Sequence, residues 1–189
     1  LTDIASYVMR EKVGGANARA VARLCLMDSL GCLFGAFSAP ECLKLLGPVV
    51  PGIVVPHGAR VPGTQFELDP VTAAFDIGTL IRWQDFSDLW WNGGHPSDNL
   101  GGILATADHL SRRRIEQGGQ PLAMRDVIDA MIKAYEIHGV LSDKHTLNRP
   151  ELGIDSVVLV KLATTAVVTR MLGGGEQERS EEHTSELQS

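Results

Sequence analysis

The sequence predicts a mostly α-helical domain that is interrupted by one extended connection. Apolar residues recur at helical spacing in residues 2–12, 16–37, 70–81, 124–141 and 157–172. By contrast, residues 47–70 are rich in proline and glycine, with short β-branched pairs between them. That composition forbids a helix and predicts an ordered, extended segment with room for short strands. A chain of 189 residues fits one domain.

The helix expected to begin at Pro70 has a clear start signal. Asp69 is a good N-cap residue, and Pro70 suits the first helical position. Val71, Ala74 and Ile81 follow at helical spacing, which predicts a buried helix.

A polar bend follows this helix. Arg82, Asp85 and Asp88 come in quick succession, and the paired glycines within residues 90–94 must break the helix. His95 comes next and precedes a second helix. A cation, two carboxylates, an imidazole and a helix N-terminus are therefore predicted to converge around one bend.

Ser97 is the expected N-cap of the second helix, with Asp98 in its first turn. The residues of the bend leave two interpretations open. The carboxylates could be a solvated helix end, and His95 a loop residue that neighbours satisfy. Alternatively, aromatic residues interleaved with the polar groups form the wall of a pocket.

Composition narrows the classes of partner. A formal net charge of −6 argues against nucleic acid, which needs a basic face, and requires local cations to meet any anionic substrate. No run of about 18 apolar residues is present, so no membrane partner is expected. The chain starts at Leu1 without a signal-peptide pattern, which suggests a missing N-terminus rather than secretion.

The three cysteines favour packing over chemistry. Cys25, Cys32 and Cys42 have spacings that match neither zinc nor iron–sulfur motifs, so we expect no metal. Cys25 and Cys32 lie seven residues apart and share one helical face. We predict reduced core thiols in a cytoplasmic protein.

Later segments carry further polar residues. His138 lies on or near the apolar stripe of its helix, which is typical of a core or interface histidine. The loop 142–155 could supply cations to a neighbouring site or simply be solvated; its cations include Lys144, His145 and Arg149.

The helix 157–172 is apolar almost throughout, which predicts burial on most sides. Lys161 interrupts this run. A lysine there must extend to solvent, pair with an acid or face a polar cavity.

The last residues, 179–189, have neither an apolar period nor turn chemistry. Their sequence, RSEEHTSELQS, matches the translation of a common sequencing-library adapter. We therefore expect one partial domain over 1–178 and a non-native tail over 179–189.

Several long strings together resemble the MmgE/PrpD family, and within it the branch that dehydrates 2-methylcitrate. They are DSLGCLFGA, IRWQDFSDLWWNGGHPSDNLGGILATAD and IDSVVLVKLATTAVV. The resemblance covers essentially all of residues 1–178. It implies the helical large domain of this fold, a lid domain that is absent here, a homodimer, and no metal or other cofactor. Family members are much longer, so this chain is expected to be a fragment that is inactive by itself.

The resemblance also implies a reaction and a site. A hydro-lyase of the methylcitrate cycle would remove water from 2-methylcitrate during propionate catabolism, giving 2-methyl-cis-aconitate. The family's acid and histidine motif falls on Asp85 and His95, a likeness that makes them the expected catalytic residues. The expected contacts to the tricarboxylate substrate are Arg82, Ser97, Asn99 and Lys161. Backbone N–H groups at the helix start could bind an anion, with Gly101 and Gly102 leaving room beside it.

Two alternatives accompany this interpretation. A relative with the same fold could act on another polycarboxylate, as a cis-aconitate decarboxylase or an epimerase. The chain could also be a non-catalytic helical module that dimerises. The expected location is the cytoplasm, or the mitochondrial matrix in a eukaryote.

Overall fold

The computed structural model describes residues 1–91, 93–144 and 155–174. Within them the chain is mostly α-helical, as predicted. The elements are α1 (Thr2–Arg10), α2 (Ala16–Gly35), a 3-10 helix (Ala36–Ser38), α3 (Pro40–Leu43), β1 (Ala59–Arg60), β2 (Glu67–Leu68), α4 (Pro70–Arg82), a second 3-10 helix (Pro96–Asn99), α5 (Leu100–Glu116), α6 (Met124–Lys144) and α7 (Val157–Met171). The predictions for His145, Arg149 and the tail 179–189 fall outside the described residues.

Two groups of buried side chains hold the helices together. The first joins α2, α4, α5 and α6, and the second joins α1, α5, α6 and α7. Fully or almost fully buried members are Leu33, Leu80, Leu100 and Met131 in the first group and Val8, Ile103, Ala134 and Ala163 in the second. Because α5 and α6 belong to both groups, they form the support against which the polar bend rests.

The start of α4 forms as its sequence predicts. The Asp69 carboxylate accepts hydrogen bonds from the backbone N–H groups of Val71 and Thr72, each at 3.0 Å. The Thr72 hydroxyl donates to the same carboxylate at 2.6 Å. Those hydrogen bonds, the one from the Thr72 hydroxyl first, hold the pKa of Asp69 below its usual value. A satisfied N-cap therefore fixes where α4 begins.

Gly101 and Gly102 serve helix packing, and the expectation that they leave room for a ligand is wrong. A Cβ on Gly101 would lie 2.5 Å from the carbonyl oxygen of Ala74, and one on Gly102 would lie 2.7 Å from Thr164 Cγ2. The glycines let α5 approach α4 on one side and α7 on the other.

The Pro/Gly-rich connection is extended and contains the two short strands that were considered possible. They pair antiparallel, with Ala59 opposite Leu68 and Arg60 opposite Glu67. Gly47 at the start of the connection donates its N–H to the buried Asp76 carboxylate of α4 at 2.8 Å. Burial raises the pKa of Asp76. One buried acid thus ties the connection to the helix that precedes the bend.

By length and composition alone, the helical stretch over residues 16–38 could cross a membrane, and about a third of it is buried in the fold. This is a weak indication, because core helices and signal sequences share those properties. Its buried residues, among them Leu26 and Leu33, pack into the first core group. The absence of a membrane partner stays a prediction.

Helix α7 is buried or partly buried at every position except Val157, Lys161 and Arg170, which agrees with the prediction of burial on most sides. Leu159, Ala163 and Val167 are buried, whereas Val157 is half exposed and Lys161 is exposed. Lys161 therefore reaches solvent and needs no partner in the core.

Candidate active site

The polar bend starts with an unusual backbone conformation at Asp85. Helix α4 ends at Arg82, and the Asp85 N–H donates to the Arg82 carbonyl at 3.0 Å. Asp85 then adopts a left-handed conformation with φ of 55°. Asp is one of the few residues besides glycine that enter this region readily. The turn directs the Asp85 side chain back towards Arg82 and His95.

Arg82 lies between two carboxylates. Its Nη1 donates a hydrogen bond to Asp85 Oδ1, and its Nε lies 3.6 Å from Asp98 Oδ1. The same oxygen, Asp85 Oδ1, lies 3.4 Å from His95 Nε2. The structure therefore brings together the predicted pair Asp85 and His95 with the predicted cation Arg82.

The two carboxylates on Arg82 have opposite environments. The hydrogen bond from Arg82, followed by its charge, lowers the pKa of Asp85. Burial raises the pKa of Asp98, although the charge of Arg82 acts in the opposite direction. Such a divergence is typical of sites that need one ionised and one protonated carboxyl.

The other nitrogen of the His95 ring faces the interior. His95 Nδ1 lies 3.4 Å from Ser87 Oγ, and the Ser97 hydroxyl donates to that same oxygen at 3.1 Å. The His95 side chain is 13% exposed, whereas that of Asp85 is 70% exposed. The imidazole is thus held between a buried pair of hydroxyl groups and an ionised carboxylate at the surface.

Ser97 does not cap α5, and the predicted anion site at a helix start is not formed there. The chain passes through a 3-10 helix, and α5 begins at Leu100 with Asn99 as its N-cap. The Ser97 N–H donates to Asp88 Oδ1 at 3.0 Å, and the Asp98 N–H donates to the His95 carbonyl at 3.1 Å. The Asp88 carboxylate occupies the place that an anionic ligand would take.

Asn99 is fully buried and bonded within the protein. Its Nδ2 donates to the Pro96 carbonyl at 2.9 Å, and its Oδ1 accepts from the Thr164 hydroxyl at 2.7 Å. These contacts tie the bend to α7. In this geometry Ser97 and Asn99 hold the backbone beneath His95.

The expected aromatic wall is formed only in part within the described residues: Trp83 lines the cleft beside the cluster, and Phe86 and Trp91 do not. Phe86 and Trp91 are 66% and 81% exposed, and Trp83 is 38% exposed. Trp90 instead packs on α6, where its ring lies against Gly139. Phe86 and Trp91 thus lie mostly in solvent, and the described residues do not enclose a pocket against them.

Lys161 lies outside the cluster, since none of the polar contacts around Arg82, Asp85 and His95 involves it. A cleft of about 610 Å³ borders the cluster and is lined by Gly78, Arg82, Trp83 and Asp98, among others. A second cleft of about 600 Å³ lies between α1, α6 and α7, where it has no contact with His95. Because Arg82 and Asp98 line the first cleft, it is the candidate binding site.

Two residues of the cluster were not selected from the sequence. The sequence indicates Asp98 only as a first-turn acid and does not single out Ser87. Both residues are close in sequence to Asp85 or His95, and this closeness is the signal that the sequence offers. The contact between Asp98 and Arg82 Nε, however, depends on the direction in which the second 3-10 helix leaves the bend.

The cysteines are free thiols, with Cys32 and Cys42 buried and Cys25 partly buried, as expected for core packing. Burial raises the pKa of all three. Among residues 1–91, 93–144 and 155–174, no group of three His, Cys, Asp or Glu side chains is arranged to hold a metal ion. That the protein uses no cofactor remains a prediction.

Comparison with known proteins decides the family. The MmgE/PrpD N-terminal domain matches residues 2–181. The chain belongs to the MmgE/PrpD family. The 2-methylcitrate dehydratases of Cupriavidus necator and Escherichia coli strain K12 are 58% and 56% identical to it over 177 residues, which are 92% of this chain and 36% of each relative. The mitochondrial 2-methylcitrate dehydratase of Yarrowia lipolytica is 49% identical over 176 residues, 90% of this chain and 33% of that protein.

This family membership confirms the resemblance seen in the sequence and accounts for the mostly helical fold. The chain spans about a third of the length of the curated relatives that it matches.

Proposed function

We propose that this chain contributes to a hydro-lyase that converts 2-methylcitrate to 2-methyl-cis-aconitate in the methylcitrate cycle of propionate catabolism. The observation that carries the proposal is the pairing of Asp85 with His95 beside Arg82. It occurs in a chain whose relatives at 55–58% identity are named 2-methylcitrate dehydratases.

The reaction needs a base and an acid. A C–H bond next to a carboxylate breaks, its electron pair forms the C=C bond, and the C–OH bond breaks as the hydroxyl takes up a proton and leaves as water. No oxidant or reductant takes part. Donors to the substrate carboxylates must hold the reacting carbon in place.

His95 moves the proton in this proposal, and Asp85 stabilises the charge that results. Because Arg82 lowers the pKa of Asp85, that residue is a carboxylate at neutral pH and cannot protonate a leaving hydroxyl. A carboxylate 3.4 Å from His95 Nε2 stabilises the imidazolium. His95 can therefore accept a proton and return it. Burial raises the pKa of Asp98, which favours the protonated form of this carboxyl relative to that of Asp85.

The substrate carboxylates bind to cations in this proposal. Arg82 lines the 610 Å³ cleft, and Lys161 is exposed on α7. Arg82 already has two carboxylate neighbours, so it would bind substrate only by exchanging one of them. Ser97 and Asn99 would contact substrate only after giving up a protein partner, which makes them the weaker two of the four predicted contacts.

The protein is also proposed to act as a homodimer. Helix α2 exposes an apolar stripe, in which Val21, Leu24 and Met27 are 57%, 65% and 67% exposed. A contiguous stripe of this kind supports a protein–protein contact. Analytical ultracentrifugation of the chain and of Leu24→Glu tests this, and an unchanged molecular mass in the variant would remove the stripe from the interface.

The proposed location follows the relatives. A mitochondrial protein is among them, so the matrix is the eukaryotic location, and the cytoplasm is the bacterial one. Imaging of a fluorescent fusion tests this, and secretion into the medium would contradict it.

A chimera gives the direct test of the activity. Residues 2–178 replace the matching segment of the Cupriavidus necator enzyme, and the product is assayed with 2-methylcitrate, citrate and cis-aconitate. The expected result is absorbance of an unsaturated product from 2-methylcitrate. Release of CO2 from cis-aconitate without any dehydration would indicate the decarboxylase alternative, and no turnover of any substrate would support the non-catalytic module.

The site is tested in the same chimera with His95→Ala. Loss of a general acid–base group should lower kcat by about 10²–10⁴-fold. His109→Gln is the matched control, since His109 lies on α5 and contacts the His57 carbonyl instead of the bend. Normal turnover by His95→Ala would refute the site. The chain alone is expected to show no dehydratase activity.

A further inference from the structure

Two backbone hydrogen bonds join the described residues of the turn that precedes His95. Within residues 90–94, the Trp90 N–H donates to the Gly94 carbonyl at 2.8 Å and the Gly93 N–H to the Trp90 carbonyl at 3.0 Å. His95 follows directly, so any rotation of this turn displaces its imidazole. Something outside the turn must fix its orientation.

The C-terminal part of α6 does so with four residues, here called the α6 clamp: His138, Gly139, Ser142 and Asp143. Among these four residues, His138 makes the most deeply buried contact with the turn. It is completely buried, and its Nε2 donates a hydrogen bond to the Gly93 carbonyl. A carbonyl only accepts, so Nε2 carries the hydrogen. Nδ1 is then an acceptor, and it is buried without a hydrogen-bond partner among the described residues.

The other three clamp residues contact Trp90 and Trp91, in the first half of the turn. The Ser142 hydroxyl donates to the Trp91 carbonyl at 3.1 Å, and Trp90 Nε1 donates to Asp143 Oδ1 at 3.1 Å. Gly139 makes room for the Trp90 ring, since a Cβ there would lie 2.4 Å from Trp90 Cζ2. The clamp therefore contacts three described residues of the turn, Trp90, Trp91 and Gly93.

The fit is tight at the turn as well. A Cβ on Gly93 would lie 2.6 Å from Ser142 Oγ and 3.2 Å from His138 Nε2. Only a residue without a side chain lets the Gly93 carbonyl reach His138. The clamp thus specifies the backbone two residues before His95.

We propose that His138 is a positioning residue for the dehydration: by holding the Gly93 carbonyl, it sets the distance between His95 and Asp85. It does not touch the substrate. The inference rests on the proposed function, because it assigns the effect to the His95–Asp85 pair.

Kinetics of the chimera test the proposal with His138→Ala and His138→Gln. Glutamine restores an N–H near the position of Nε2, and alanine does not. We expect His138→Ala to lower kcat at least about tenfold while KM changes less than about threefold, because the substrate contacts are unaltered. His138→Gln should keep kcat within about 1.5-fold of the unaltered chimera.

A matched control separates positioning from stability. Met131 lies on α6 two turns before His138, is 1% exposed and packs in the first core group. Met131→Ala should lower the melting temperature but leave the kcat of the folded enzyme unchanged. If His138→Ala does not fold, Ser142→Ala, which removes one clamp contact, should lower kcat about threefold. An unchanged kcat in His138→Ala, or in Ser142→Ala if only that variant folds, would overturn the inference. Equal losses of kcat in His138→Ala and His138→Gln would also overturn it.

A spectroscopic readout covers the case of an inactive chimera. With ¹⁵N-labelled histidine, the ring signals of His95 should shift in His138→Ala and stay in place in His138→Gln and Met131→Ala. No activity in the unaltered chimera would refute the proposed function alone. Unmoved His95 signals in His138→Ala would refute the clamp.

Discussion

The inner and outer sides of the polar bend differ in how deeply this chain buries their side chains. On the inner side, Ser97, Asn99 and His138 are fully buried, and each donates a hydrogen bond to the protein. On the outer side, Leu89 and Trp91 are 74% and 81% exposed. The inner side is therefore packed as a core, and the outer side leaves large apolar side chains in solvent.

The proposed catalytic pair lies on the boundary between the two sides. The His95 side chain is 13% exposed and that of Asp85 is 70% exposed. Apolar surface that stays in water costs about 25 cal/mol per Å². Burial of the Leu89 and Trp91 side chains against another surface would therefore be favourable. Changes on the inner side should therefore affect folding together with chemistry, and changes on the outer side should affect chemistry or association alone.

The largest effect is expected for Asp85→Asn in the chimera. Asparagine tolerates the left-handed backbone at this position, so the fold should be kept. Loss of the charge beside His95 should lower kcat by about 10²–10⁴-fold. Steady-state kinetics together with circular dichroism give the measurement. A folded variant with normal turnover would show that Asp85 belongs to the solvated surface and not to the site.

The inner side is tested by Gly101→Ala. Its Cβ would meet the Ala74 carbonyl at 2.5 Å, and backbone cannot move aside cheaply, so we expect a loss of about 1–3 kcal/mol in the free energy of unfolding of the chain. The control is Gly31→Ala on α2, where no atom lies within 4 Å of the new Cβ. That change should stabilise by about 0.5–1 kcal/mol, because alanine favours a helix. Equal effects in urea unfolding would mean that α4 and α5 do not pack this closely.

The sequence predicted the local parts of this molecule and missed the contacts that depend on direction. The start of α4 depends on Asp69, Pro70 and the backbone directly after them. This local prediction was confirmed. Ser97 looks equally like a cap, yet Asp88 takes its N–H because the chain turns through a 3-10 helix. That turn depends on packing against α6 and α7, which a single sequence does not reveal.

The site shows the same division. Arg82, Asp85 and His95 lie within 14 residues of each other, and they meet as predicted. Lys161 is far away in sequence, and only the orientation of α7 decides where it points. The family resemblance supplied the expected reaction, and the contacts of His138 and Asp98 became visible only in three dimensions.

A smaller effect is expected at the start of α4, distant from both sides of the bend. Asp69→Ala removes the acceptor for two backbone N–H groups and should cost about 1 kcal/mol, or a fall of about 2–4 °C in melting temperature. The kcat of the chimera should not change. Asp69→Asn retains an acceptor and should recover most of the loss. A fall in kcat with Asp69→Ala would mean that the position of the bend is transmitted through α4 rather than held by α6.

The smallest effect should come from Trp91→Ala, and the neighbouring tryptophan makes the comparison direct. Trp91 is 81% exposed, so its removal should change the free energy of unfolding of the chain by less than about 0.5 kcal/mol. Trp90→Ala loses the hydrogen bond to Asp143 and the packing on Gly139, and should cost roughly 2 kcal/mol, less than a fully buried tryptophan. Urea unfolding measures both. A larger loss for Trp90→Ala than for Trp91→Ala would show that the two neighbouring tryptophans lie on opposite sides of the bend. Equal losses would show that Trp91 is already covered within this chain and that the outer side needs no further partner.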